Sequence, residues 1–563
     1  MSGPLVVQSD KTVLLEVDHP DAPAARTAIA PFAELERSPE HVHTYRITPL
    51  ALWNARSAGH DAEQAVDALV RFSRYPVPPA LLVDVADAMG RYGRLVIEDR
   101  PGGGLVLRAA TVDDVAVLAE VRRHRHVAPL LGAIVSDIGV AVDAAERGRL
   151  KQALLRAGWP AVDAASYATG DPFPVDLDFT GDGVQWSLRD YQVHAVEGFA
   201  AGGSGVVVLP CGSGKTIVGA AALARLSTNA LILATSTVSA RQWRRELLAR
   251  TTLTDDDIGE YSGDCKEIRP VTVATYQVLV TRRGGRYTHL DLFSARDWGL
   301  VIYDEVHLLP APVFRMTSEI QSRRRLGLTA TLVREDGREG DVFSLIGPKR
   351  FDTPWRDLES QGWIAPAHCT EVRVALTADE RMAYATADAD VRYRVGATAT
   401  SKLPVVEALV ARHRGEPTLV IGAYLDQLDE IASRLGAPTV TGETPVVERE
   451  RLYGAFRTGT ERLLVVSKVA NFSIDLPDAA VAVQVSGTFG SRQEEAQRLG
   501  RILRPKPGGG QAHFYTVVSR DTNDADYAAH RQRFLAEQGY AYSIVDSADL
   551  LTTGEVDHDT ADG

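Results

Sequence analysis

Cysteine is scarce: Cys211, Cys265 and Cys369 are the only three in 563 residues, widely separated and odd in number. That argues against a disulfide framework and against a Cys-built zinc or iron–sulfur site, and it suits the reducing cytosol. Long apolar runs are missing as well, since none approaches the ~20 residues of a membrane helix. The first thirty residues interleave Asp10, Lys11, Glu16, Asp18 and Asp21 with short apolar stretches, leaving no signal-peptide core. A cytoplasmic chain with no membrane partner is therefore expected. Nor is there an excess of positive charge: 61 Lys and Arg against 74 Asp and Glu give −13. A protein that coats nucleic acid by bulk charge neutralisation would read the other way, so any phosphate contact must be local.

What is present is an ordinary globular balance, 45% apolar and 24% charged residues, over a length that implies several domains. Residues 1–175 read as a mainly helical accessory domain with one β-hairpin. Val66, Leu69 and Val70 recur at helical spacing before Pro76, a second helix runs through Leu81 to Met89, and a third spans Glu146 to Ala157. Between them, Arg94 to Glu98 and Leu105 to Arg108 flank Pro101 and Gly102 to Gly104, a strand–turn–strand pattern that makes the unit winged-helix-like.

The texture then changes to short apolar runs separated by helix-length segments. Val206–Leu209, Ala230–Leu233, Val271–Ala274, Leu300–Tyr303 and Leu326–Leu328 fall in residues 176–365. Thr418–Ile421, Leu463–Val466, Ala480–Val485 and Ala512–Val518 fall in residues 366–545. Such runs fit strands buried on both faces, so the fold class is α/β with two parallel-sheet units in tandem. Residues 546–563 end in an acidic stretch with few apolar side chains, expected to be disordered.

The chemistry concentrates in three places. Val206 to Leu209 feeds Pro210-Cys211-Gly212-Ser213-Gly214-Lys215-Thr216 and then an alanine-rich helix, the strand–loop–helix context of a P-loop. Gly212, Ser213 and Gly214 bring backbone N–H groups toward phosphate oxygens, Lys215 reaches the β/γ-phosphates and Thr216 binds Mg²⁺. Leu209 stands where the consensus has its first glycine. Downstream, Leu300 to Tyr303 ends in Asp304-Glu305-Val306-His307, carboxylates at the carboxyl end of a strand where α/β sheets bind ligands. Asp304 suits Mg²⁺ and Glu305 suits the activation of water. Either motif alone has a bland reading, a structural turn or a solvated acidic pair; together they specify a nucleoside triphosphatase using ATP and Mg²⁺. Third, Gln497-Arg498-Leu499-Gly500-Arg501-Ile502-Leu503-Arg504 sets Arg501 and Arg504 three apart on one helical face, a candidate arginine finger from the second unit that requires the two units to close.

These residues resemble superfamily 2 helicases with two RecA-like domains, and among them the XPB family of DNA-repair and transcription helicases. The resemblance runs from Trp186-Ser187-Leu188-Arg189-Asp190-Tyr191-Gln192 through the P-loop and Asp304 to His307. It continues through Leu328-Thr329-Ala330-Thr331-Leu332-Val333-Arg334-Glu335-Asp336, Ile346-Gly347-Pro348-Lys349 and Ser467-Lys468-Val469 to Gln497–Arg504. It implies a 3′-to-5′ DNA helicase acting in DNA repair on single-stranded or forked DNA. Arg189 and Gln192 would lie near the adenine, and Thr329 and Thr331 would link the nucleotide to the DNA track together with Gln497. Arg334, Glu335 and Asp336 would assist strand separation, while Ser467 and Lys468 would approach the DNA backbone. Ala470-Asn471-Phe472 depart from the family pattern in that last loop.

The resemblance also implies a thumb-like segment, here Asp379 to Thr400 with Arg381, Arg392, Tyr393 and Arg394, and an accessory domain that docks a nuclease or repair and transcription proteins. Arg241, Arg244 and Arg245 beside Trp243, with Arg282, Arg283, Arg286 and Arg323 to Arg325, are candidates for a DNA track. RNA or duplex translocation without strand separation, and a nucleotide-switched scaffold, are the alternative readings that motifs alone leave open.

Overall fold

The computed structural model describes the chain except for residues 1–2, 38–40, 181–184, 211, 284–285, 311–312, 314–319, 321–322, 331–338, 354–357, 359–360, 362, 364–366, 468–478, 488–511, 529–541 and 553–563. The expected acidic tail falls largely outside the described residues.

The accessory region holds the expected helices at Ala62–Phe72, Pro79–Arg91 and Arg147–Arg156. The first starts sharply because Asp61 accepts from the Gln64 amide while the Gln64 side chain accepts from the Asp61 amide. It also holds more sheet than its sequence pattern suggests. Strands β1 (Leu5–Val7), β2 (Thr12–Glu16), β3 (Glu34–Arg37) and β4 (Val42–Arg46) form an antiparallel sheet in the order β1-β2-β4-β3. The expected hairpin is β5 (Leu95–Asp99) with β6 (Leu105–Ala109), and it extends through β7 (Ile134–Ser136), β8 (Gly139–Val142) and β9 (Val162–Asp163) into a second sheet ordered β7-β8-β6-β5-β9. Each sheet buries one face against helices, giving two separate small cores around Leu5, Leu15 and Leu69 and around Ile97, Leu107 and Leu150.

The first large sheet consists of β10 (Gly205–Val208), β11 (Ala230–Ala234), β12 (Ile258–Tyr261), β13 (Val271–Thr275), β16 (Leu300–Asp304), β17 (Arg324–Thr329) and β18 (Lys349–Asp352). A two-stranded hairpin, β14 (Arg282–Arg283) with β15 (Arg286–Tyr287), stands apart from it. The order is β12-β13-β11-β16-β17-β10-β18 and every pairing is parallel. Central strands covered on both faces explain the uninterrupted burial of β10, β11 and β13.

The second large sheet repeats the plan with β19 (Ala367–Val374), β20 (Thr418–Gly422), β21 (Thr439–Val440), β22 (Leu463–Ser467), β23 (Val481–Gln484), β24 (Ala512–Ser519) and β25 (Tyr542–Asp546), ordered β21-β22-β20-β23-β24-β19-β25 and again parallel. Two parallel seven-stranded sheets in tandem are the RecA-like arrangement expected of the sequence. Between β19 and β20, helices Ala378–Thr386 and Ala389–Ala397 pack as a pair.

Accessory and motor regions meet at a packed seam. Gln152 donates to Asp341 at 3.0 Å, and the Lys349 amide donates to Asn54 at 3.0 Å. The chain entering the motor is stitched down too: Val175 is 1% exposed within the motor core, and the Phe173 amide donates to the Ser227 carbonyl.

Candidate nucleotide site

Strand β10 ends at Val208, and the loop that follows is shaped by glycine. Gly212 and Gly214 have φ of 80° and 84°, a left-handed backbone that glycine adopts without penalty. A Cβ on Gly214 would also lie 2.6 Å from the Gln192 amide nitrogen. The helix Lys215–Leu226 begins immediately after, so its unpaired N-terminal amides face the loop. The loop is braced from behind: the Tyr191 hydroxyl donates to the Ser213 carbonyl at 2.6 Å, Gln192 donates to the same oxygen at 3.0 Å, and the Ser213 hydroxyl donates to the Pro210 carbonyl at 2.6 Å. Arg189 donates from its amide to Gln192 at 3.0 Å and from its guanidinium to Tyr191 at 3.0 Å, and the guanidinium lies 4.5 Å from the Trp363 ring centre. Arg189, Gln192 and the P-loop are thus one assembly.

The acidic pair stands at the end of β16, separated from β10 in the sheet by β17 alone. Lys215 Nζ lies 3.3 Å from Glu305 Oε1 and 3.4 Å from the Leu209 carbonyl. Glu305 has φ of 49°, an uncommon left-handed conformation for a side-chain-bearing residue and a mark of local backbone strain. Asp304 is fixed by three contacts. Ser239 and Trp243 donate to its Oδ2 at 3.1 and 3.0 Å, and the Tyr276 hydroxyl donates to its carbonyl at 2.9 Å. Burial, with the neighbouring Glu305 charge, pushes the Asp304 carboxyl up to about 6 despite those donors and Lys215. Burial would raise Glu305 too, but the Lys215 ammonium and His307 outweigh it and hold the carboxyl below its ordinary value.

His307 Nδ1 lies 3.5 Å from Glu305 Oε2 and 2.7 Å from the Thr329 hydroxyl at the end of β17. Glu305, His307 and Thr329 therefore form a continuous polar chain from one strand end to the next. Sequence reasoning gives no role to His307, Ser239, Tyr276 or Tyr191. Ser239 and Trp243 carry a signal, since a spacing of four places both on one face of the helix Thr237–Arg250.

Two expectations are corrected. Arginines flank Trp243 and suggest a DNA surface, yet it is 1% exposed and its indole serves Asp304. Ser467, expected near the DNA backbone, is 2% exposed at the end of β22. Among the candidate track arginines, Arg325 is fully buried and donates to the Leu345 carbonyl at 2.8 Å, and Arg323 pairs with Asp297. Arg282 and Arg283 are exposed on β14. Thr331, Arg334, Glu335, Asp336, Lys468, Gln497, Arg501 and Arg504 lie outside the described residues.

The donor set suits a magnesium nucleotide: a hydroxyl at Thr216 and a carboxylate at Asp304 are hard oxygen ligands, and Mg²⁺ commonly completes its shell with waters and substrate phosphates.

The chain matches three protein-family descriptions: "Type III restriction enzyme, res subunit" over residues 185–334, "ERCC3/RAD25/XPB C-terminal helicase" over residues 358–560, and "Helicase conserved C-terminal domain" over residues 5–136. It is 68% identical to the "DNA 3'-5' helicase XPB" of Kineococcus radiotolerans, with 97% of each chain covered. It is 67% identical to the protein of the same name from Mycobacterium tuberculosis, with 98% of this chain and 99% of that one covered. The Saccharomyces cerevisiae "General transcription and DNA repair factor IIH helicase/translocase subunit XPB/SSL2" is 31% identical over 97% of this chain and 72% of its own length.

Proposed function

The chain belongs to the XPB family of DNA 3′-5′ helicases, and from that premise we propose how its residues divide the work of ATP-driven DNA unwinding. The enzyme is an ATP-dependent DNA helicase of the repair and transcription class. The observation that supports the assignment of its motor site is the meeting of Lys215 with Glu305 at 3.3 Å beside an Asp304 fixed by Trp243 and Ser239.

In this reading the P-loop amides and Lys215 hold the β- and γ-phosphates. Glu305 orients the attacking water and takes up its proton, a role its depressed pKa and its contact with Lys215 keep ready in the ionised form. Thr216 and Asp304 would hold Mg²⁺, which would supply positive charge to offset the negative charge of the nucleotide phosphates. Arg189 and Gln192 sit against the P-loop, where an adenine ring would lie. Arg501 and Arg504 supply charge from the second motor unit, and Thr331, Gln497, Arg334, Glu335 and Asp336 connect turnover to strand separation.

Residues 176–365 and 366–545 are the two motor units on this assignment, residues 1–175 the accessory region through which a nuclease or repair protein docks. DNA contacts fall to Lys468, to exposed Arg282 and Arg283, and to the helix pair at Ala378–Ala397, where Arg381 is exposed while Tyr393 is buried against Tyr527 and Arg394 pairs with Asp426 at 2.5 Å.

The test is the ATP hydrolysis rate with single-stranded DNA, duplex DNA and RNA, with Lys215→Ala as the blank. Stimulation by DNA but not RNA supports the assignment. Equal stimulation by RNA overturns the DNA specificity, and no stimulation by any polymer overturns the motor reading in favour of a switched scaffold.

A further inference from the structure

The chain has seven tryptophans, all but Trp355 among the described residues. Five of these bond their indole N–H within the protein. Trp53 donates to the Ala88 carbonyl, Trp159 to Glu120, Trp186 to the Asp178 carbonyl, Trp243 to Asp304 and Trp298 to the Leu292 carbonyl, at 2.7 to 3.0 Å. Trp363 differs: its indole N–H meets no acceptor among the described residues, and it is 38% exposed. The other indoles are committed to holding the fold, and this one is not.

Its place in the fold is specific. Trp363 lies between β18, which ends at Asp352, and β19, which begins at Ala367, so it stands on the connection from the first motor sheet to the second. Its amide donates to the Leu358 carbonyl at 2.9 Å, and Leu358 is fully buried in the same apolar cluster as Tyr191 and Leu209. The guanidinium of Arg189 lies over one face of the ring, 4.5 Å from its centre. From Arg189 two short routes reach the P-loop. The guanidinium donates to the Tyr191 hydroxyl at 3.0 Å, and that hydroxyl donates to the Ser213 carbonyl at 2.6 Å. The Arg189 amide donates to the Gln192 side chain at 3.0 Å, which donates to the same carbonyl at 3.0 Å. A partly exposed aromatic ring, braced by a planar cation, thus borders the loop assigned to the phosphates.

We propose that Trp363 is the residue on which the purine base of the nucleotide stacks, with Arg189 holding the ring from its other face. The inference rests on the reading of the P-loop as the phosphate site and adds to it the group that recognises the base. Nucleobases stack on aromatic side chains whatever their edge pattern, because every base has a π-face. Trp363 therefore contributes affinity for the base while the P-loop contributes affinity for the phosphates. Because the ring sits on the connection between the two motor sheets, a stacked base fastens that connection, which phosphate alone does not touch.

The experiment uses the full chain with Mg²⁺ and measures the displacement of a fluorescent ADP by unlabelled ADP and by tripolyphosphate, which keeps the phosphates and lacks a base. Trp363→Ala should weaken ADP about tenfold, the loss of one stacking contact, and leave tripolyphosphate at its parent affinity. Trp363→Phe, which keeps a ring, should lose much less of the ADP affinity than Trp363→Ala. A tryptophan that only braces Arg189 and the P-loop behind it would weaken both ligands alike. Equal weakening of ADP and tripolyphosphate, or an unchanged affinity for ADP, therefore overturns the proposal. Lys215→Ala run beside them tests the underlying reading separately: if it binds ADP and tripolyphosphate as tightly as the parent, the phosphate assignment of the P-loop fails, whatever Trp363 does.

Discussion

The indole N–H of Trp243 donates to Oδ2 of Asp304 at 3.0 Å, joining a helix to a strand end 61 residues further along the chain. Ser239 donates to the same oxygen from one helical turn earlier, so the carboxylate is held from one side. Groups that orient a metal-binding carboxylate typically matter to metal affinity by 10–100-fold. Trp243→Phe keeps the ring in its buried place and removes only the donor. The midpoint of a Mg²⁺ titration of nucleotide binding, read with a fluorescent ADP, should move to about tenfold higher Mg²⁺, with the circular dichroism spectrum unchanged. An unmoved midpoint would mean that the indole only fills space.

Lys215 and Glu305 touch, yet their removal should have different consequences. Lys215→Ala takes away the cation assigned to phosphate, and on that assignment nucleotide binding itself should be lost. Glu305→Gln keeps the volume and the contact with Lys215 but removes the carboxylate proposed as the base, so nucleotide should still bind while DNA-stimulated hydrolysis falls about 100-fold or more. Equilibrium binding and steady-state turnover measured on the same preparations separate the two. Substantial turnover in Glu305→Gln would remove Glu305 from its assigned role.

The Glu305–His307–Thr329 chain offers a route by which the state of the nucleotide site reaches the end of β17. Thr329→Val is nearly isosteric and deletes the hydroxyl that meets His307. Basal hydrolysis should change little, while the ratio of DNA-stimulated to basal rate should drop severalfold. A ratio equal to that of the parent protein would show that coupling takes another path.

The motor sheets are legible in the sequence because each central strand is a short, uninterrupted apolar run bounded by breakers, and burial on both faces requires that pattern. The apolar runs locate β10, β11, β13, β16 and β20 within a residue or so at each end. Edge strands such as β12 (Ile-Gly-Glu-Tyr) and β18 (Lys-Arg-Phe-Asp) lack that signature, and the accessory strands alternate in short pieces that resemble loops. The P-loop and acidic pair are equally legible, being contiguous motifs. The role of Trp243 is not, because it depends on which face of the helix Thr237–Arg250 meets β16, a tertiary fact. Its arginine neighbours suggest a surface, while the indole points inward.

The Lys151–Asp163 pair at the seam makes stability rise with pH in two separate windows. For Asp163, burial raises the carboxyl but Lys151 and Arg147 outweigh it, holding it at about 2, below its ordinary 3.8. Its contribution is therefore complete above about pH 4 and is lost as pH falls from about 4 toward 2. Lys151 is also depressed, from 10.5 to about 8; burial disfavours its charged form, and a lowered pKa again gives stability that rises with pH. Between about pH 8 and 10.5 the unfolded chain binds the proton that the folded chain has released, and stability rises with pH across that window, by about 3 kcal/mol at most. Thermal unfolding from about pH 7.5 to about pH 10 should be followed for the parent protein and Lys151→Met, whose difference cancels the titration of distant groups. The parent should gain on the variant as pH rises. A difference that stays flat, or runs the other way, would mean that Lys151 keeps its proton at the seam.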